Sequence, residues 1–395
     1  MRTRQYTISC KEVTGWAVTT LVEALGWSAA LTRLGPERLV QLLVRAAAGM
    51  RSLSAMVQEA QAVPSWETVR QALLKYLPAQ PQELLPATTR ALHRRLPKGL
   101  RRRPQTMAID LHLRPYYGSP HTPGVSRGKR KAGTKYFFAY ASLLVIRRGQ
   151  SFTVGLTAVA PGEKQTTVIA RLLEQAQQAG LRVRRLLLDR GFYGAETIHG
   201  LQQEHVPFLM PMVQRGKAGR SPARRTGTQK FFVRGRRGWD SYTWKTKRRG
   251  KRRQAEPISV TVDVCMAPRP KGRGRKKGPL VYACYGLPHM DPDAVRQLYR
   301  KRFGIETSYR QLGEGLATSC SRNRVYRFLL VAIALVLRNV WVWVHWRFLA
   351  ERTERGRSLR LHRLTLRKLT YWILRRLDHL LGISPSAITT GLQTT

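Results

Sequence analysis

Three carboxylates stand out in a chain poor in acids. Asp110 lies inside the apolar run Thr106-Met107-Ala108-Ile109-Asp110-Leu111-His112-Leu113. Asp189 ends the run Leu186-Leu187-Leu188 and is followed by Arg190-Gly191-Phe192-Tyr193-Gly194. That order reads as a strand, a carboxylate at its carboxyl end, a glycine turn and a helix start, and open α/β sheets place their chemistry at such strand ends. Glu306 belongs to an amphipathic stretch from 291 to 312, where Tyr299, Arg302, Glu306 and Arg310 follow at spacings of three, four and four and so share one helical face. On such a face the acid binds metal, the guanidinium grips a phosphate bidentately and the phenol donates a further hydrogen bond. An ordinary surface ion pair is the alternative for that face taken alone.

Three acids from distant positions can hold two divalent cations about 3.5–4 Å apart, the arrangement used for phosphoryl transfer. Magnesium and manganese suit such a site, since they take oxygen ligands and keep positions open for water and substrate phosphate. Two Mg²⁺ or Mn²⁺ ions are therefore the expected cofactors. Glu314 is a rival third acid without the Tyr and Arg spacing. His112 falls on the same strand face as Asp110 and reads as a packed or phosphate-facing histidine, not a ligand.

The charge of the whole chain says what such a site would act on. Lys and Arg number 71 against 22 Asp and Glu, a net charge of +49, while 43% of residues are hydrophobic. A folded, strongly basic chain calls for a polyanion, and nucleic acid fits better than an anionic membrane or a ribosome. Cys10, Cys265, Cys284 and Cys320 form no C-x-x-C pair, so neither a zinc finger nor a disulfide framework is indicated. No leader-like apolar segment follows Met1, and the apolar run Phe328–Leu337, bounded by Arg327 and Arg338, is too short to span a bilayer. It reads as a buried core helix, and no membrane partner is expected.

The elements that would position the acids can be placed by periodicity. Residues 1–95 read as a helical N-terminal domain, with apolar spacing through Val13–Leu31, Leu39–Ala48, Leu53–Ala60 and Trp66–Leu77. Leu53–Ala60, the break at Val63-Pro64 and Ser65–Leu73 have helix-turn-helix proportions, with Ser65 as cap and Thr68 and Arg70 facing a groove or backbone; two short bundle helices would look the same. A basic linker occupies 96–105. From 106 to 212 three strands, a helix, a strand, a helix and a strand follow, with a basic loop from Arg127 to Lys135. This is the order of a ribonuclease H-like fold, with Asp110 on its first strand and Asp189 at the end of its fourth. Residues 213–290 read as a mostly β insertion with long basic loops and short strands at 230–233, 241–244, 258–265 and 280–285. Its Trp239, Tyr242 and Trp244 suit stacking on unpaired bases, or else form the insertion's own small core. Helix returns from 291 to 350, read as the second part of the ribonuclease H-like core and carrying Glu306, and 351–395 reads as a basic helical C-terminal region.

The runs Ile109-Asp110-Leu111, Leu188-Asp189-Arg190-Gly191-Phe192-Tyr193 and Tyr299-x-x-Arg302-x-x-x-Glu306 resemble those of the DDE transposases of bacterial insertion sequences, in particular the insertion-sequence-four family with its β insertion before the last acid. The resemblance covers roughly 105 to 345. It implies a cut-and-paste recombinase whose Asp110, Asp189 and Glu306 are catalytic and bind metal. Double-stranded DNA would then be the partner, at terminal inverted repeats and at the target. It implies DNA contacts from Tyr299, Arg302, Arg310 and Arg190, a flipped-base role for Trp239 or Trp244, a homodimer in a synaptic complex, and a prokaryotic, cytoplasmic, nucleoid-associated protein. The family signature continues with a lysine seven residues after the glutamate; position 313 here is Gly. A ribonuclease H-like nuclease or resolvase that cuts without joining, and an inactive DNA-binding relic, are the alternatives.

Overall fold

The computed structural model describes residues 7–32, 34–60, 63–147, 151–219, 221, 224–246, 257–269, 278–304, 311–353, 356–359 and 361–383. In chain order it begins with helices α1 (Cys10–Leu25), α2 (Pro36–Ala48), α3 (Leu53–Gln58), α4 (Trp66–Tyr76) and α5 (Leu85–His93). Strands β1 (Gln105–Tyr116), β2 (Val125–Lys131), β3 (Thr134–Val145) and β4 (Thr153–Val159) come next. Then follow α6 (Gln165–Gln178), β5 (Val183–Leu187), α7 (Ala195–Gln203) and β6 (Phe208–Pro211). After β7 (Gly238–Lys245), β8 (Ser259–Ala267) and β9 (Leu280–Tyr285), the chain returns to helix in α8 (Pro292–Arg300) and α9 (Arg324–Val344). A small hairpin, β10 (Ala350–Thr353) and β11 (Gly356–Leu359), precedes α10 (Leu366–Leu380). The chain packs as two compact units: one draws on 1–96, 116–125 and 308–395, the other on 97–115 and 126–307.

The first unit is helical and is built round α9. Leucine, valine and alanine surround that helix on every side, so it has no polar face to turn to water and lies buried along nearly its whole length. Asn323 caps it, its side-chain oxygen accepting from the backbone N–H of Val325 and Tyr326 at 2.9 Å each. Length and composition would let this helix cross a membrane, but 94% of its most apolar window is buried inside the protein. Arg338, enclosed within it, donates from Nε to Gln311 Oε1 at 3.2 Å, and burial lowers its pKa to about 10. A second buried cation, Arg45 of α2, donates from Nε to Asp378 of α10 at 2.7 Å and so ties the two helices together. Ser65 caps α4 as the sequence indicates, accepting from Thr68 N–H at 3.3 Å. Arg70 is held by Glu67 of its own helix at 2.6 Å.

The second unit is one nine-stranded sheet with the order β2-β3-β1-β5-β6-β9-β8-β7, and β4 pairs with β3. The strands expected of the ribonuclease H-like core are present, with β1 beside β5 in parallel and β5 beside β6 in parallel. The insertion strands do not make a separate sheet. β9 runs antiparallel to β6, and β8 and β7 continue outward from it. Three local expectations change. The region from 351, expected to be helical, opens with the antiparallel hairpin of β10 and β11 before α10. Residues 227–231 form a 3₁₀ turn, with Phe231 buried, where a strand from 230 was expected. The "basic loop" after β1 contains a strand, β2, which meets β3 through Ala132 and Gly133, at φ 50° and 81°. Left-handed φ at both central residues is what a two-residue hairpin turn demands.

Thiol reactivity reports this packing. Cys265 of β8 and Cys284 of β9 are buried, and burial pushes the Cys265 thiol up to about 12 and the Cys284 thiol well above its ordinary value. Cys10 and Cys320 are exposed. Alkylation of the native protein is expected to stop at two adducts by intact mass and to reach four in denaturant, because the thiolate is the reacting form. Rapid labelling of all four thiols in the native state would contradict the sheet's extension through β8 and β9.

Candidate active site

Register brings the two aspartates together. Met107 and Ala108 of β1 lie beside Leu186 and Leu187 of β5. Carried two residues further, the same offset sets Asp110 beside Asp189. Neighbours directly across a parallel pair share a face of the sheet, so the two carboxylates lie on the same side. The backbone ends its strand pairing at this point. Leu188 N–H still donates to Leu209 O at 3.1 Å, and Asp189 then starts a 3₁₀ turn through Phe192, whose N–H donates to Asp189 O at 3.0 Å.

Arg302 stands between the acids. One of its terminal nitrogens lies 3.0 Å from Asp110 Oδ1 and 3.8 Å from Asp189 Oδ1. The Arg302 side chain is 6% exposed, Asp110 17% and Asp189 49%, so the cluster grades from a buried cation to an acid open to solvent. Asp110 Oδ1 also accepts from Leu111 N–H at 3.0 Å. Tyr299 donates its phenol to Leu188 O at 3.2 Å, pinning the end of α8 to the end of β5. Burial raises the Tyr299 phenol's pKa, with the two aspartates adding to the rise and Arg302 opposing it. The phenol is a fixed hydrogen-bond donor here, not a proton carrier.

The helix expected from 291 to 312 is interrupted. α8 ends at Arg300, Lys301 and Arg302 form a turn, and Phe303 and Gly304 re-enter helix. The turn aims Arg302 at the acids instead of leaving it one step along a straight helical face beside Tyr299. Glu306 and Arg310 lie outside the described residues. Gly313 opens a 3₁₀ turn with Glu314, in the helical unit.

The remaining expected residues take varied places. Arg190 is exposed on the turn directly after Asp189. Trp239 of β7 is occupied by its surroundings: its indole N–H donates to Met290 O at 2.8 Å and its ring stacks on His289 at 4.4 Å. Trp244 stacks on Tyr193 at 5.4 Å, and Arg215 lies over the Trp244 ring at 4.6 Å and over Tyr193 at 5.6 Å. The insertion thus reaches the turn that follows Asp189, and Arg215, which no motif singled out, joins it there. His112 is held neutral: burial first, then the charges of Arg114 and Lys131, lower its pKa to about 4.

Asp110 and Asp189 form a donor set for a hard cation, since both are carboxylates and both face one point of positive charge. Among the described residues no group of three or more His, Cys, Asp or Glu gathers. The two aspartates would hold a divalent ion, with Glu306 the third acid that sequence supplies.

No curated protein matches the chain by sequence. Among solved structures, the piggyBac transposase in its synaptic complex with hairpin DNA superposes with a TM-score of 0.53 at 11% identity, over 98% of this chain and 88% of that one. That likeness concerns the fold, a mixed α/β sheet of ribonuclease H-like type with helices before it. The transposase DDE domain matches residues 102–339, more than half the chain and both aspartates. The chain therefore belongs to the family of the transposase DDE domain, whose members are polynucleotidyl transferases.

Proposed function

We propose that the protein cuts DNA at the terminal inverted repeats of a mobile element and joins the freed 3′-hydroxyl to target DNA. The observation that carries this reading is Asp110 of β1 beside Asp189 just past the end of β5, the two held by Arg302. Asp110, Asp189 and Glu306 would hold Mg²⁺ or Mn²⁺. When bound, the ions would supply Lewis-acid activation of water or a 3′-hydroxyl and stabilise the leaving oxygen. Arg302 keeps the carboxylates aligned, and Tyr299 fixes the strand end that carries Asp189. Arg190, exposed on the turn after Asp189, would meet a phosphate. The stack of Trp244, Tyr193 and Arg215 offers an aromatic face and a cation to a distorted strand, and is a better candidate for base contact than the engaged Trp239.

The insertion strands between β6 and α8 support placement in the insertion-sequence-four group. The synaptic complex of the piggyBac protein supports a homodimer that pairs two DNA ends. A prokaryotic cytoplasm, at the nucleoid, is the proposed setting. The test is a strand-transfer assay with labelled inverted-repeat ends, a target plasmid and Mg²⁺. Joined product is expected. Cutting without joining would instead favour a nuclease or resolvase, and binding without either would leave a DNA-binding relic.

A further inference from the structure

The hairpin of β2 and β3 carries Arg127, Lys129, Arg130, Lys131 and Lys135, with no acid from 125 to 135. Its two-residue turn sets Lys131 opposite Thr134, Arg130 opposite Lys135 and Gly128 opposite Phe137. The last pairing agrees with the packing, since a Cβ on Gly128 would meet the Phe137 ring at 3.4 Å. Every residue from Arg127 to Gly133 is exposed. A strand that lies on a core alternates buried and exposed positions. From Arg127 to Lys131 this one does not, so both faces of β2 meet solvent there, while on β3 Thr134 is buried and Lys135 exposed.

Charge makes the arrangement costlier still. Arg130 and Lys135 are cations directly across a strand pair, an unfavourable pairing. No ion pair joins any of the five cations to an acid among the described residues. Folding gives no reason to line like charges along a two-faced ribbon, whereas a polyanion does. The hairpin also belongs to the sheet that carries the chemistry, since β3 lies directly beside β1, the strand of Asp110.

We propose that this hairpin is an arm that grips the sugar–phosphate backbone of double-stranded DNA leading into the crevice of Asp110 and Asp189; the proposal rests on the DNA-cutting reading of those acids. A two-stranded ribbon fits the width of the major groove, and cations on both of its faces can then meet phosphates of both strands. Phosphate contacts position a protein without reading sequence, so the arm serves any duplex that enters.

Binding to a duplex in metal-free buffer, where nothing is cut, tests the arm. Each phosphate contact contributes about 0.9 to the slope of log affinity against log salt. The triple variant R127Q/K129Q/K131Q is expected to lower that slope by about 2–3 and to bind tenfold or more weakly at moderate salt, on every sequence, with an unchanged melting temperature. R367Q/K368Q/R375Q on α10 removes the same charge and is expected to change the slope by less. An unchanged slope in the hairpin variant, or an equal loss in the α10 variant, would overturn the arm. A photo-crosslinking benzoylphenylalanine in place of Lys129 is expected to label DNA; exclusive labelling of an acidic protein would overturn it too. A parent that cuts DNA, with a hairpin variant that binds DNA as the parent does, refutes the arm alone. One that neither binds nor cuts refutes both readings.

Discussion

Replacing Asp189 with asparagine is expected to lower Mg²⁺-dependent strand cleavage by about 10²–10³-fold, the scale lost when one charge-stabilising group leaves a preorganised site. Asparagine keeps the size and one oxygen but no longer carries the charge that a hard cation requires. The fold should be indifferent. The Asp189 side chain is 49% exposed, and the turn after it is held by its backbone carbonyl, which the substitution retains. DNA binding should hold or tighten, because a negative charge beside phosphate has gone. Asp110→Asn should match it in activity, since the strand register sets the two acids side by side. Cleavage within tenfold of the parent in either variant, measured on a labelled end with melting temperature and gel shift as controls, would remove that aspartate from the chemistry.

Some of this arrangement was legible in the linear chain and some was not, for reasons that differ by residue. Asp110 could be found because it interrupts an apolar strand, where a charge is expensive without a purpose, and Asp189 because it stands at the carboxyl end of one. Their adjacency followed from the order of elements alone. Arg302 was legible as a neighbour of Glu306 on a helical face, but its actual role depends on a turn at Lys301 that the spacing does not announce. Local periodicity describes a straight helix; a tertiary ion pair with Asp110 outweighs it. β2 was hidden because its exposed residues lack the alternation that marks a half-buried strand. Only the Ala132-Gly133 pair hinted at a hairpin, and weakly, since Ala seldom takes left-handed φ. The insertion strands were visible as strands. That β9 would seat itself against β6 was not, because a long-range antiparallel pairing leaves no mark on either segment. Arg215 belongs to the same class. A cation lying over Trp244 and Tyr193 is created by three distant segments meeting, and nothing near position 215 sets it apart from the chain's many other arginines.

Arg302→Met is expected to destabilise the sheet unit and to make it depend on divalent ions. The guanidinium is buried between one half-sheltered and one open carboxylate, so its removal leaves two like charges facing each other in place of a bridged pair. Breaking a buried pair in this way costs about 3–5 kcal/mol, and the exposure of Asp189 places this case at the low end. Arg302→Lys should fall between, keeping the charge but losing the planar fork that lets one group face both acids. In the double variant D110N/R302M the loss should be largely recovered, because the buried charge has been removed with its partner. Adding Ca²⁺ or Mg²⁺ should raise the melting temperature of the Met variant more than that of the parent. In the parent a bound ion competes with the guanidinium for the same oxygens; in the variant it takes over the guanidinium's place. Equal stability of parent and Arg302→Met, together with equal stabilisation by divalent ions, would mean that Arg302 does not hold the acids. The two aspartates would then need another explanation for lying side by side.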